Sequence, residues 1–566
     1  MQPGHAWYVD CSGRGGDGRS PASAWNSVHS VSAHVFQPGD WIYFRRGTVC
    51  SGMLAPKGSG STWAPIHLEA WGTGPLPRVE AAPGNEAALK LFNQQYWTIR
   101  DLEFRGGNPH GVYISGDKGI LRGIHIKNVV IHGVSGSPTT KEDGLLVIAA
   151  GSKNQRFDDV LVDGVTAYDT SQWAGILVGG VAHGYQSTNF RNTNVIVRNS
   201  IVHDVAGDGI VLFQTNNGCI ENSVAWRTGM QEKETIGTPN AIWTWMCRNC
   251  MVRHNEAFLS DSPGVDGGAF DIDYGNNDNV VEENYGHDTQ GYCIAIFAAG
   301  WPTENSIVRN NICAQNGLSP RLAHSQGAIY LSSWNGGKIH RLNLSGNYIF
   351  WNPPLVAAAV VNEADFEGKG LFERNTIQSA SPLIIQSNSS LLFDYNSYEY
   401  SGDGKTQWQY GGKIWHGFGL YRRNSGQDIH SKLANSDRGD STVRSLKWQL
   451  IAFVSAAEDA HDSRGEIAML ESVHSQFPGI KINIVVAEPS IPDKARANLR
   501  YDWNAGDIPL SFGDKHISRN LPALILIDPS GQTIWRHDGF TSPGQLGLLL
   551  RSKVGSPAYA EMFRHQ

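Results

Sequence analysis

The sequence predicts a mainly β protein, a solenoid of stacked parallel strands over residues 1–435, then a linker at 436–441 and a small α/β domain over 442–566. Two columns of recurring residues and one change of pattern carry that prediction. The first column is a short apolar strand ending in Asn or Asp. It recurs as Ile99-Arg100-Asp101, Ile126-Lys127-Asn128, Val162-Asp163, Val197-Arg198-Asn199 and Ile220-Glu221-Asn222. It continues as Arg253-His254-Asn255, Glu282-Glu283-Asn284, Arg309-Asn310-Asn311, Ser345-Gly346-Asn347 and Glu373-Arg374-Asn375. The step is 23 residues from Asn199 to Asn222 and 37 from Asn310 to Asn347, the range of a solenoid coil with variable loops. One Asn per coil suits stacking, because its amide can bond the same turn in the coils above and below.

The second column is a polar residue followed by a small one just before another strand: Asp143-Gly144, Asp208-Gly209, Asn240-Ala241, Asp266-Gly267, Gln290-Gly291 and Gln326-Gly327. Such pairs mark tight turns. Helical periodicity is nearly absent over residues 80–400, and 64 glycines with only 17% charged residues favour strands and turns over helices. Residues 1 to about 40 read as a cap, in which Ser23 to Val28 is expected to form a short amphipathic helix over the open N-terminal end.

The pattern changes after Asn435-Ser436-Asp437-Arg438-Gly439-Asp440. Leu450 to Val454 reads as a buried strand and Glu466 to Phe477 as an amphipathic helix with Ile467, Leu470 and Val473 on one face. Ile480 to Ala487 reads as a second strand, and Leu521 to Ile527 with Thr533 to Trp535 frame a turn at Asp528-Pro529-Ser530-Gly531.

Composition excludes some functions. A net charge of −7 offers no basic footprint for nucleic acid, and no apolar run is long enough to span a membrane. The opening Met1 to His5 has no signal-peptide character. A cytoplasmic protein and a mature secreted or periplasmic form both fit. Seven cysteines cannot all pair internally. Cys247 and Cys250 have CxxC spacing without a following helix or a second pair, so they read as structural thiols; Cys11 with Cys50 is a candidate disulfide.

Strand alternation places the candidate site. With Ile210, Leu212, Ile242, Thr244, Phe270 and Ile272 inward, the outward residues are Val211, Phe213, Trp243, Trp245, Asp271 and Asp273, followed by Ala295, Phe297, Tyr330 and Ser332. Asp is disfavoured inside strands, so two of them between Phe270 and Tyr274 require a reason. Aromatic faces beside paired carboxylates suit a saccharide, with Trp243, Trp245, Phe297 and Tyr330 as platforms and Arg248 and Glu256 as further contacts. Residues two apart on a strand stand roughly 6.5–7 Å apart, near the separation that inverting glycosidases use to admit a water. Asp271 and Asp273 are therefore the first candidate acid/base pair. Asp266, Glu256, His287 and Asp288 rank second.

The opening Trp7-Tyr8-Val9-Asp10, Ser23-Ala24-Trp25 and Pro38-Gly39-Asp40-Trp41-Ile42-Tyr43-Phe44 resemble the start of pectate-lyase-like right-handed parallel β-helix proteins that process polysaccharides. Phe393-Asp394-Tyr395-Asn396, Trp415-His416-Gly417-Phe418 and Gly426 to Ser431 resemble the closing segment of the same group. That resemblance, over about residues 5–435, implies a secreted enzyme acting on a polysaccharide or oligosaccharide. It leaves three activities open. The carboxylate pair favours an inverting glycoside hydrolase without a cofactor. A lyase of this group would hold calcium, here through Asp266, Asp271, Asp273 and Asp288, with Arg248 or Lys233 as base. A non-catalytic glycan-binding solenoid would use the aromatics alone. The C-terminal domain is similar to thioredoxin-like domains, with Pro522 at the family's cis-proline position. Where the redox CxxC would stand, this chain reads Ala456 to Asp462, so the resemblance implies a redox-inactive domain.

Overall fold

The computed structural model describes residues 4–180, 191–231, 236–402 and 404–435, and further along mainly 448–455, 480–486, 510–512, 521–528 and 533–541. The chain divides into two compact units, residues 1–435 and 436–566.

Unit one is a parallel β-helix. Its coils contribute to two 14-stranded sheets and one 13-stranded sheet, and in each the sequence runs monotonically from strand to neighbouring strand. All the strand pairs between successive coils are parallel; the antiparallel pair is the hairpin of Gln407–Tyr410 with Lys413–His416 at the C-terminal end. One apolar core runs through the stack, from Val9 and Ile42 through Ile242 and Phe270 to Phe393 and Trp408. Alternate side chains of the strands enter this core, so no coil could hide its apolar face alone.

The Asn column proves to be two adjacent columns. Asp101, Asn128, Asn199, Asn222, His254, Glu283 and Asn310 occupy the left-handed backbone region at each turn, with φ between 50° and 56°. Asn and Asp tolerate that conformation better than other non-glycine residues. The next residue points inward, and from Asn255 onward it is itself Asn. Asn255, Asn284, Asn311 and Asn347 donate from Nδ2 to the Oδ1 of the next, at 2.9–3.0 Å, and Asn375 follows on. Each amide also bonds a backbone carbonyl of the preceding coil, as Asn311 Nδ2 does with Val281 O at 2.9 Å.

Both ends are covered. At the N-terminus the helix is Val28–Ala33, capped by Ser27, whereas Trp25 lies in an extended bridge to Val9. The helix thus starts where the expected one was to end, because Trp25 stacks on Trp7 at 4.8 Å and is held in the extended segment. Cys11 bonds Cys50, and a second disulfide, Cys293 to Cys313, joins neighbouring segments. Cys247 and Cys250 are buried thiols that donate to Leu212 O and Thr215 O, each at 3.4 Å. The C-terminal end is closed by the hairpin and by the helix Phe418–Ser425, where buried Asp428 accepts from Tyr398 and Tyr421 at 3.0 Å.

Unit two contains a five-stranded sheet in the order Leu510–Phe512, Ile480–Val486, Trp448–Val454, Ala523–Ile527, Thr533–Asp538. The first three strands are parallel, Ala523–Ile527 is antiparallel to them, and Thr533–Asp538 is antiparallel to Ala523–Ile527 and so runs in the direction of the first three. Glu466, Ile467 and Leu470 are helical, but the rest of the helix expected to Phe477 and the segment 456–462 lie outside the described residues. The Leu521–Pro522 peptide is cis. Among the described residues no helix is long and apolar enough to cross a membrane.

Candidate active site

The site grows from the outer face of the 13-stranded sheet. Ile210, Leu212, Ile242, Phe270, Ile272, Ile294 and Ile296 lie in the main core. Register then fixes the other face: Val211 pairs with Trp243, Trp243 with Asp271, Asp271 with Ala295, and Ala295 with Tyr330.

That face is covered where the sequence suggested open rings. Val147, Leu177, Val211, Phe213, Trp243 and Trp245 form a second apolar cluster with Trp173, which lies just before the strand Ala174–Gly179. Trp243 and Trp245 are each 4% exposed and Phe297 is 5% exposed. Their faces are spent on protein neighbours such as Phe213, 5.1 Å from Trp243, so they cannot serve as sugar platforms as expected. Tyr330 keeps part of its surface.

Four aspartates interact here. Asp208, in the turn before Ile210–Phe213, is fully buried; it accepts from Trp173 Nε1 and from the Asn240 backbone N–H at 2.9 Å. Lys141 Nζ stands 3.7 Å from its Oδ2 and lies over the rings of Trp173 and Trp243. Asp266 sits in the next turn but one with φ of 70°, and Thr238 Oγ1 and Tyr292 Oη donate to it, the latter at 3.3 Å. Tyr292 Oη also lies 2.8 Å from Asn240 Oδ1, and Asn240 Nδ2 reaches Asp271 Oδ2 at 3.4 Å. Asp271 is 3% exposed and its Oδ1 has no hydrogen-bond partner. Asp266 and Asp273, by contrast, are half-buried.

Electrostatics follow from this crowding. Burial pushes the Asp208 carboxyl up, and Lys141 pulls it back. Burial raises Asp266 to about 6 and Asp273 to about 7. Asp271 rises well above the carboxylate range, first through burial and then through Asp273 and Asp266. Like charges this close cannot all ionise near neutral pH. The group therefore holds protons there, which a general acid requires.

The remaining candidates lie elsewhere. Glu256 and His287 belong to a different sheet, in Glu256–Phe258 and Tyr285–His287. His287 bonds Glu256 through Nε2 at 2.9 Å and Asp288 through Nδ1 at 2.7 Å. Burial pulls the His287 imidazole down, but these two carboxylates outweigh it and hold it up at about 9. His287 also ends a ladder of stacked rings, Tyr168, His203, Trp226 and Phe258, whose packing accounts for its place. Arg248 is mostly exposed and faces Asp278 at 3.8 Å. Lys233 lies outside the described residues. The four carboxylates expected to hold calcium are not assembled, since Asp288 is engaged by His287 in the other sheet. Among the described residues no group of three or more His, Cys, Asp or Glu is arranged to hold a metal ion.

Lys141, Trp173, Asp208, Asn240 and Tyr292 belong to the site and were not candidates. Asp208, Asn240 and Asp266 are members of the turn column, and that column is the rim of the cluster.

No curated protein matches the sequence. The lacto-N-biosidase of family GH136 from Eubacterium ramulus superposes with a TM-score of 0.49 at 20% identity, covering 66% of this chain and 68% of that one. A mannuronic acid specific polysaccharide family 6 lyase from human gut microbiota gives 0.35 at 13% identity, over 72% and 88%. The A-module of a mannuronan C-5 epimerase from Azotobacter vinelandii gives 0.27 at 13% identity, over 72% and 93%. Residues 144–353 match the family model described as the right handed beta helix region, and this stretch carries the four aspartates from Asp208 to Asp273, with Lys141 just before it.

Proposed function

We propose that the protein is a glycoside hydrolase acting on a polysaccharide or oligosaccharide, with Asp273 as general acid and Asp266 as general base. The observation that carries this reading is a pair of half-buried carboxylates raised to about 6 and about 7 around a third that is sealed from solvent. A carboxyl must reach substrate to act on it, which favours Asp266 and Asp273 over Asp271. Asp273 would protonate the glycosidic oxygen as its bond to the anomeric carbon breaks. Asp266 would take a proton from the water that attacks that carbon. The two flank the strand Phe270–Ile272, which spans about 10 Å, leaving room for the water of an inverting mechanism. Asp271, held neutral by burial and by its neighbours, would stay outside the chemistry, its Oδ2 tied to Asn240.

A lyase needs a cation or metal to neutralise a uronate. Among the described residues the ammonium at this cluster is Lys141, engaged by Asp208 and two indole rings, which weighs against that chemistry. Purified protein on a glycan panel separates the readings. New reducing ends without ultraviolet absorbance support hydrolysis, an absorbing unsaturated uronate means a lyase, and binding with neither product means a binding solenoid.

Two disulfides in unit one fit an oxidising, secreted or periplasmic setting. The parallel strands flanked by an antiparallel hairpin in unit two support a thioredoxin-like domain. Because no cysteine follows Cys313, it would be redox-inactive. Turnover in an insulin-reduction assay would refute that.

A further inference from the structure

We propose that Trp334 and Glu363 form a distal sugar subsite on the same face, taking a neutral pyranose ring two to three sugars away from the bond that is cleaved. The proposal rests on the hydrolase reading for what lies between. The strand Ile329–Trp334 pairs with Ile294–Ala299, aligning Ala295 with Tyr330, Phe297 with Ser332 and Ala299 with Trp334. Ile329 and Leu331 are core, so Tyr330, Ser332 and Trp334 share the face of Asp271.

The face changes character at this strand. On the preceding strands of this face Val211, Trp243, Asp271, Ala295 and Phe297 are buried, yet Trp334 is 44% exposed. Its ring meets Phe297 at 5.7 Å and Tyr274 at 6.1 Å, with interplanar angles of 63° and 80°. Edge-on neighbours fix the indole without covering both faces. Tyr274 directly follows Asp273, so the ring is tied to the segment carrying the general acid. In the next coil, Glu363 is exposed and accepts from Tyr330 Oη at 2.6 Å and Ser332 Oγ at 3.1 Å. Both bonds fall on Oε1, which leaves Oε2 for a sugar hydroxyl.

An exposed indole face beside a carboxylate fixed by two hydroxyls fits a ring with an apolar face and hydroxyl donors. A carboxylate at this place opposes an acidic sugar. The strand of Trp334 lies two coils from that of Asp271, and Glu363 follows the strand three coils away, about 10 and 14 Å at the spacing of neighbouring strands. A disaccharide held at the cluster would not reach them; a tetrasaccharide would.

The test uses full-length protein and a panel of neutral di- to hexasaccharides with β-linked glucose, xylose, galactose or N-acetylhexosamine units. Trp334→Ala and Glu363→Gln are each made in the parent and in Asp273→Asn. We expect KM for tetrasaccharides and longer to rise about tenfold with kcat unchanged, the loss of an aromatic contact of roughly 1.4 kcal/mol. Disaccharides should be unaffected. Calorimetric Kd values in the Asp273→Asn background should shift by the same factor. Equal losses at every length, no loss at any length, or no panel member binding would overturn the subsite. If Asp273→Asn stays active while the length-dependent loss persists, the acid assignment falls and the subsite stands.

Discussion

Lys141 Nζ lies 3.7 Å from Asp208 Oδ2, and its positive charge acts on all four aspartates of the cluster. In each of them it opposes the upward push of burial. Replacing it with an apolar chain of similar length removes the opposing charge. Lys141→Met should therefore move both limbs of the pH profile of kcat/KM toward higher pH, measured against the parent on one substrate. Unmoved limbs would show that the pair responsible for the profile lies elsewhere.

For the parent, the same profile should be a bell. Its acidic limb reports the base at about 6 and its alkaline limb the acid at about 7. Because the groups interact, these values belong to the pair as a whole. A plateau extending well above pH 8 would contradict an acid held by this cluster.

The three neighbouring aspartates should separate by mutation. Asp273→Asn removes the proton donor and Asp266→Asn the base, and each should cut kcat by about 10²–10⁴. Asp271→Asn replaces one neutral group by another of the same shape, so its loss should be much smaller. Equal and severe losses at all three positions would return Asp271 to the chemistry.

Alternation along Phe270 to Tyr274 was enough to place Asp271 opposite Trp243 and on the outer face, and the register agrees. It could not show that Trp243 and Trp245 are covered. Their partners Trp173 and Lys141 come from turns one or more coils earlier, and periodicity within a strand carries no information about them. The turn column was visible as Asp208, Asn240 and Asp266. A polar residue before a small one reads locally as a turn, whereas the bonds that make it a site, Asn240 to Asp208 and Asp271, cross coils. The Asn ladder shows the same limit. Asn310 and Asn311 are neighbours in sequence, and only stacking reveals that one bends the backbone while the other bonds inward.

The ladder makes a stability prediction. Asn311 Oδ1 accepts from the Asn284 backbone N–H and side chain at 3.0 Å, and its Nδ2 serves Val281 O and Asn347 Oδ1. All of these atoms are buried, so Asn311→Ala leaves several polar groups unpaired at about 1–3 kcal/mol each. A loss of about 2–4 kcal/mol is expected, read by chemical denaturation of unit one. Asn310→Ala, in the exposed turn next door, should cost under about 1 kcal/mol.

The acid cluster should also govern how stability responds to pH. Asp208, Asp266, Asp271 and Asp273 are all raised above their ordinary carboxyl value of 3.8. The folded state thus holds protons that the unfolded chain releases. For a raised group, the stabilisation is fully present below the unfolded value and is lost as pH rises through the folded one. The window runs from about 4 upward through the 6 and 7 of Asp266 and Asp273, so these groups alone make Tm fall from pH 5 to pH 8. Asp271→Asn keeps a neutral side chain at every pH, so it abolishes the proton that Asp271 holds in the folded state and releases on unfolding. Its Tm should match the parent near pH 3, below the ordinary carboxyl value of 3.8, exceed it increasingly toward pH 8, and fall less steeply between them. A variant less stable than the parent at pH 8 would mean that Asp271 is ionised and paired in the folded protein.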